Sequence, residues 1–457
     1  MSTDKLHAPF LRSILRSGSI LSLGTLTSRI LGFFRDVVLA SVLGTGMAAD
    51  AFFVAFKIPN LFRSFIGEGA VNAVLVPMCS EYLSRKDWEG FLRFVSLIVT
   101  WGALVLGGLT LLGLAAAPWI VRGIAWGFTE EPIKFHMAVT LTRWLLPYLF
   151  FIGMTAYGIG ILHSLRAFGV PAFTPCLLNL ALIGCALAAV GTLDEPVWGV
   201  VVGVLLGGML QMLAQVPALA RQGVRYRRPR TLWRPEAWRA LRLLGPRMVG
   251  SGVYQLTVLI DTVCASVASV VGAGGVAAIY FASRLIQFPM GLVSVSLSSA
   301  ALPELSHLAT TKDWTTFERI LRVLLRNIMM VMGGCALVLS LAARPLVRIL
   351  FERGAFTAYS THQTASALSA YAVGLISYGG IKLLVTAFHA LQDTRRPVWV
   401  ASWCLGLNAV LNVILMFPFQ LGGIALASSI TATVNFFVLL WMLKKKLSRY
   451  RRAAASI

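Results

Sequence analysis

Seven ionisable residues lie between positions 29 and 68, inside apolar stretches long enough to span a bilayer: Arg29, Arg35, Asp36, Asp50, Lys57, Arg63 and Glu68. A charged group at membrane depth costs about 2.5–3.5 kcal/mol on insertion scales. Seven such groups facing lipid would not be retained. They must face a wet cavity, pair with one another, or reach the surface. Two further cations stand in later apolar stretches, Arg284 in YFASRLIQFP and Lys382 in GGIK. Arg29, Arg35, Arg63, Arg284 and Lys382 against Asp50 and Glu68 make the candidate cavity net cationic. Guanidinium forks grip phosphate oxygens in pairs, and lysine adds a point charge. The chemistry is that of an anion binder, for a phosphate or diphosphate. An organic cation would instead call for carboxylates or an aromatic cage. The plainer alternative is snorkelling with internal ion pairs, such as Arg35 with Asp50.

A second constellation carries oxygen. Asp261 is accompanied by Asn408 and Asn412, four apart on one helix face, and by Ser428 and Thr431. Oxygen ligands of this kind suit a hard cation such as Na⁺. Ordinary hydrogen bonding between helices would use the same residues. Pro59, Gly67 and Gly69 interrupt the second apolar stretch and would let it bend. The histidines show no HExxH spacing, and the carboxylates form no DDxxD cluster. A membrane transferase with a diphosphate–metal site is therefore disfavoured, and no enzyme activity is expected. GAGG at 272–275 and the glycines at 44 and 46 read as turn residues.

The elements that would position these groups are helices. Hydrophobic residues make up 57% of the 457 residues and charged ones only 13%. That leaves too little polar surface for a soluble globular enzyme. Twelve continuous apolar stretches are long enough to span, at about 18–43, 51–82, 92–118, 137–162, 172–190, 197–219, 246–269, 276–305, 320–342, 364–390, 398–416 and 422–443. They do not alternate as barrel strands would. The six cysteines form no CxxC, which points to buried thiols. The N-terminus has no cleavage site and reads as a cytoplasmic arm.

Loop charge sets the orientation. With both termini inside, the inside segments hold 25 Lys and Arg and the outside segments 5. This accounts for the net charge of +22 without nucleic acid, because basic loops face anionic inner-leaflet lipid. The domains expected are a six-helix lobe at 1–219, a basic linker at 220–247, a second six-helix lobe at 248–443 and a basic tail at 444–457. An internal repeat supports the division. HSLRAFGVP at 163–171 resembles HALQDTRRP at 389–397, and VPMCS at 76–80 resembles LPELS at 302–306, both at an offset of 226. Six helices per repeat make the lobes parallel, which implies a central cavity and alternating access.

The stretches SRILGFFRD, GTGMAADAFFVAFKIPNLFRSFIGEGA, PAFTPCLLN, YFASRLIQFPMG, LPELS, RGAFT and ALQDTRRPV resemble, in order, motifs of the MurJ (MviN-type) lipid II flippases. These belong to the multidrug/oligosaccharidyl-lipid/polysaccharide exporter superfamily. The resemblance runs from about 18 to 443. It implies an all-α polytopic protein of the bacterial inner membrane that moves undecaprenyl-diphosphate-linked disaccharide-pentapeptide to the outer leaflet, serving peptidoglycan synthesis. By motif position it implies substrate contact at Arg29, Arg35, Asp50, Arg63, Glu68, Arg284 and Lys382. Cell-wall synthesis proteins are the partners it suggests. Many relatives have fourteen helices, whereas twelve apolar stretches precede Lys444–Arg452 here. The alternatives are export of another polyprenyl-linked glycan or of a drug, and a lipid-binding scaffold acting through the 221–247 loop.

Overall fold

The computed structural model describes residues 4–67, 70–229, 231–233, 235, 238, 239, 242 and 255–455. Among them every regular element is helical. The first half contains α1 (Asp4–Leu43), α2 (Met47–Gly67), α3 (Ala70–Ser84), α4 (Trp88–Ile124), α5 (Pro132–Leu145), α6 (Pro147–Ser164), α7 (Gly169–Ala189) and α8 (Val197–Arg221). The second contains α9 (Gln255–Ala265), α10 (Ala268–Val271), α11 (Gly275–Pro289), a π-helical segment (Met290–Val295), α12 (Ser296–Thr311), α13 (Trp314–Leu341), α14 (Ala343–Phe351), α15 (Ala358–Val373), α16 (Leu375–Ala390) and α17 (Arg395–Ala455). Helix covers most of each of the twelve apolar stretches where it is described, with short breaks at Leu146, Ser266, Val267 and Gly374; 68–69 and 246–254 lie outside the described residues.

Among the described residues, seven helices are long and apolar enough to cross a membrane, or eight if α15 and α16 count as one span bent by 49°. The stretches at 51–82 and 246–269 include residues outside the described ones; the rest of the difference from twelve has physical causes. The charges of α1 dilute its apolar run. The last two stretches count as one because the two helices of α17 meet at a non-helical kink at Gln420 (φ 50°, ψ −129°). Long helices expose large apolar side chains, as α4 does at Leu111 and Leu112, both 68% exposed. Water would not tolerate such a surface over so many turns, and lipid does.

The offset of 226 recurs in the backbone. Trp88 starts α4 and Trp314 starts α13. The residue before each caps the helix: Asp87 Oδ1 accepts from Gly90 N at 2.7 Å and Asp313 Oδ1 from Thr316 N at 3.0 Å. Left-handed non-glycine residues repeat as well, Lys86 with Lys312 and Arg166 with Gln392. Such residues are uncommon, so two matched pairs mark a shared design.

The chain forms two compact units. The first comprises Met1–Leu43, Ala51–Arg122 and Ile133–Gly252. In it α7 packs between α1 and α8, and α6 packs on α3 and α8. Gly199, Gly203 and Gly207 let α8 approach α7 closely, because a Cβ at any of them would strike α7. The second unit comprises Gly44–Asp50, Gly123–Pro132 and Val253–Ile457. Here α15 and α16 pack on α17, α11 on α15 and α13 on α16. Phe281, Phe351 and Phe356 form an aromatic cluster with centroids 5.3–5.8 Å apart. Two short segments from early in the sequence thus pack into the second unit. Thr45 Oγ1 lies 2.7 Å from Ser360 Oγ, and Gly127 N donates to Ser266 Oγ at 2.9 Å. The glycines at 44–46 and 272–275 serve this packing: Gly274 sits at φ +80°, where a side chain would strike Thr45.

Candidate functional site

In the first unit, α1 carries two of the expected cations. Arg29 is exposed. Arg35 is half-buried and ties α1 to α7. Its Nη2 and Nε reach Asp36 Oδ1 at 2.7 and 3.0 Å, and its Nη1 reaches Asn179 Oδ1 at 3.1 Å. Asn179 Nδ2 in turn donates to the Ser28 carbonyl at 3.1 Å. The guanidinium is therefore held in one orientation by charge-assisted bonds. Arg63 is exposed on α2, with Nε donating to Asn60 Oδ1 one turn back at 3.2 Å. Pro59 lies buried inside α2, which closes at Gly67. Glu68 and Gly69 lie outside the described residues.

In the second unit, Asp50 is 1% exposed and its Oδ1 accepts from Ala277 N at 2.9 Å. Ala277 is in the first turn of α11, whose N-cap Gly274 offers no side chain. The first amides of a helix lack intrahelical partners and carry partial positive charge. Asp50 supplies that cap from a distant segment. Arg284 is half-buried on α11. Its guanidinium lies 4.7 Å from the Tyr280 ring centroid, and Nη1 donates to Gln287 Oε1 at 3.1 Å. Lys382 is exposed on α16.

The oxygen constellation forms one hydrogen-bonded cluster. Asn412 Nδ2 donates to Asp261 Oδ1 at 2.7 Å and to Asn408 Oδ1 at 3.2 Å. Ser428 Oγ donates to Asp261 Oδ2 at 2.8 Å, and Asn408 Nδ2 donates to Ser428 Oγ at 3.1 Å. All four side chains are buried. Asn412 Oδ1 and Thr431 Oγ1 are buried without a hydrogen-bond partner. One carboxylate, amide oxygens and hydroxyls suit a hard cation and offer nothing to a soft metal. Among the described residues, no group of three His, Cys, Asp or Glu gathers.

One feature escapes the sequence reading. The π-helical segment 290–295 interrupts the run from α11 to α12. Such segments are rare and mark places where a helix can change its winding. The hydroxyls of Ser294 and Ser298 are buried there without partners. The signal was available: shifting the glycine break at 67–69 by the repeat offset lands on 293–295, at the end of this segment.

The chain matches the family model "Lipid II flippase MurJ" over residues 39–456. It is 32% identical over 434 residues to the probable lipid II flippase MurJ of Buchnera aphidicola subsp. Schizaphis graminum, covering 95% of this chain and 84% of that one. It is 33% identical over 426 residues to the lipid II flippase MurJ of Burkholderia cenocepacia (92% and 82% covered). It is 35% identical over 440 residues to the probable lipid II flippase MurJ of Vibrio cholerae (94% and 82% covered). Among solved structures it is similar to a lipid II flippase MurJ in an inward closed conformation, with TM-score 0.81 and 26% identity over 94% of this chain and 89% of that one. An inward-facing multidrug resistance MATE family transporter of the MOP superfamily shares the fold, with TM-score 0.74 and 16% identity over 93% and 96%.

Proposed function

The chain belongs to the lipid II flippase MurJ family, and on that premise we propose that it carries lipid II from the inner to the outer leaflet of the bacterial cytoplasmic membrane by alternating access. Arg29, Arg35, Arg63 and Arg284 bind the diphosphate and the adjoining head group, with Lys382 assisting. Asp50 and Glu68 balance these cations or meet the sugar and peptide. Arg35 enters already oriented by Asp36 and Asn179, so less side-chain freedom is lost on binding. Arg284 presents a guanidinium stacked on Tyr280, and a planar fork of this kind suits phosphate oxygens. Pro59, Gly67 and Gly69 give the second helix its bend, and the π-helical segment gives the repeat-equivalent bend. The protein crosses the membrane twelve times in two lobes of six, with both termini cytoplasmic.

The observation that carries the reading is the family match over nearly the whole chain, together with cations at the motif positions. Its test is the appearance of lipid II in the outer leaflet of bacteria depleted of their own flippase and expressing this chain. Absence of outer-leaflet lipid II despite good membrane expression would overturn it. We propose further that Asp261, Asn408, Asn412 and Ser428 hold Na⁺, with Thr431 beside them. The two buried oxygens without donors, on Asn412 and Thr431, support this. Replacing Na⁺ by choline in the transport assay tests it, and unchanged rates would refute it. No covalent chemistry is assigned to the chain.

A further inference from the structure

The two repeats treat one surface differently. In the first unit, α8 ends at Arg221 and the chain turns at Gly223, which sits at φ +76°. The following segment lies back along α4. Arg227 N donates to Ser96 Oγ at 3.0 Å, Tyr226 Oη pairs with Thr100 Oγ1 at 2.9 Å, and Trp101 Nε1 donates to the Leu232 carbonyl at 2.8 Å. That face of α4 is therefore covered by the protein's own backbone. In the second unit, α17 does not turn. It runs on as helix to Ala455. The face of α13 equivalent to Leu92, Ser96 and Thr100 carries Glu318, Arg322 and Arg326 instead, and both arginines are exposed.

A groove of about 530 Å³ lies between α13 and the end of α17. It is lined by Glu318, Arg322, Lys444, Leu447, Ser448 and Arg451. Glu318 accepts from Arg322 at 3.2 Å and from Arg451 at 3.4 Å. One carboxylate thus holds Arg322 one turn along its own helix and Arg451 across the groove, and Lys444 adds a third cation. The walls are fixed by Tyr450 stacked on Trp314 at 4.7 Å. Further into the span, the same side of α17 exposes Phe437 and Trp441, and α13 exposes Val323 and Met330. A basic groove set above apolar, exposed helix faces matches a phospholipid, with head group in the groove and acyl chains along the helices.

We propose that this groove binds the phosphodiester head group of an anionic phospholipid, at a site separate from the residues assigned to lipid II. The guanidinium edges not used by Glu318, together with the Lys444 ammonium, supply the donors. The proposal rests on the membrane reading above, and its assignment to the inner leaflet rests on the cytoplasmic placement of 444–457.

The test uses the full chain purified in detergent micelles, titrated with phosphatidylglycerol and read by native mass spectrometry. Phosphatidylcholine serves as the zwitterionic control and inorganic phosphate as the free anion. Wild type should retain phosphatidylglycerol over phosphatidylcholine. The double variant Arg322→Gln/Arg451→Gln should weaken phosphatidylglycerol binding about ten- to thirtyfold, from about a fivefold loss per basic residue. Lys444→Gln, which leaves the Glu318 bridge whole, should weaken it less, and serves alone if the double variant does not fold. Glu318→Gln should tighten binding, because it releases two guanidinium groups. A merely structural Glu318 would give the opposite sign. Equal retention of both lipids, unchanged binding in the variants, or displacement by inorganic phosphate at the lipid's own concentration would overturn the proposal. So would a peptide found in the groove in place of lipid. Binding in micelles does not depend on transport or orientation, so failure of the flippase reading would show separately. Labelling of Ser448→Cys by an impermeant maleimide only after the cells are permeabilised reads the leaflet.

Discussion

Arg35 and Asp261 occupy the same place in the two repeats, since position 261 is position 35 advanced by the offset of 226. Both bond to asparagine side chains on equivalent helices, Arg35 to Asn179 on α7 and Asp261 to Asn412 on α17. The helices themselves start 226 apart, at Gly169 and Arg395. In the first unit the positive charge of this polar node is covalent: a guanidinium beside the Asp36 carboxylate. In the second the node is a carboxylate ringed by amides and hydroxyls, with two acceptor-capable oxygens lacking donors. One scaffold position thus holds a built-in cation in one repeat and a carboxylate ringed by neutral oxygens in the other. On the proposed reading, the fixed cation would be a permanent anion-binding contact. An exchangeable Na⁺ would let the second unit respond to an ion gradient.

The largest effect should come from the cations at the cargo positions. Arg29→Ala and Arg284→Ala should each abolish appearance of lipid II in the outer leaflet while membrane expression is retained. Full activity in both would remove the site assignment. The next test separates the two nodes. Asp261→Asn should lose whatever Na⁺ dependence the wild type shows, whereas Arg35→Gln should leave that dependence intact and lower activity at every Na⁺ concentration. Arg35→Gln should also lower the melting temperature, because it removes the charge-assisted bonds to Asp36 that fix this node. Identical Na⁺ responses in the two variants would dissolve the comparison.

How much of this was legible beforehand depended on whether the signal was local. The helical class and the repeat were visible because apolar length and motif spacing are properties of contiguous sequence. The grouping of Asp261 with Asn408, Asn412 and Ser428 was legible as chemistry, and the structure brings those four together. Other features were not legible. Asp50 caps α11 across more than 200 residues, and nothing in its neighbourhood announces a helix N-terminus as partner. Arg35 pairs with the adjacent Asp36, which geometry on one helix turn decides. The docking of 44–50 and 123–132 into the second unit depends on tertiary packing alone. Removing the cap tests that packing. Asp50→Ala should lower the melting temperature by an amount equivalent to about 0.5–2 kcal/mol, the usual value of an N-cap. Amide exchange should quicken at Ala277 before it does in α7.

The smallest effect lies at a corner where the repeats diverge again. Asp393 follows α16, and its counterpart in the first repeat is Ala167, which carries no charge. Lys446 Nζ reaches Asp393 Oδ2 at 2.7 Å, and Arg396 reaches the same oxygen at 3.3 Å. Burial pushes this carboxyl upward, but the hydrogen bond from Lys446, the Arg396 amide and the two nearby cations outweigh it and hold it below its ordinary 3.8. A depressed carboxyl stabilises the fold above its unfolded value, and that contribution fades as pH falls through the lowered one. The melting temperature of the wild type should therefore be insensitive to Asp393 from pH 7 down to about 5, then drop as the carboxyl protonates below about 4. Asp393→Asn should lower the melting temperature slightly at pH 7 and converge on the wild type in acid. Lys446→Gln should behave in the same way, because it removes the other half of the pair. Curves that stay parallel across the whole range would mean that α17 is held against the α16 corner by packing alone, and that the second repeat draws no stability from this ion pair.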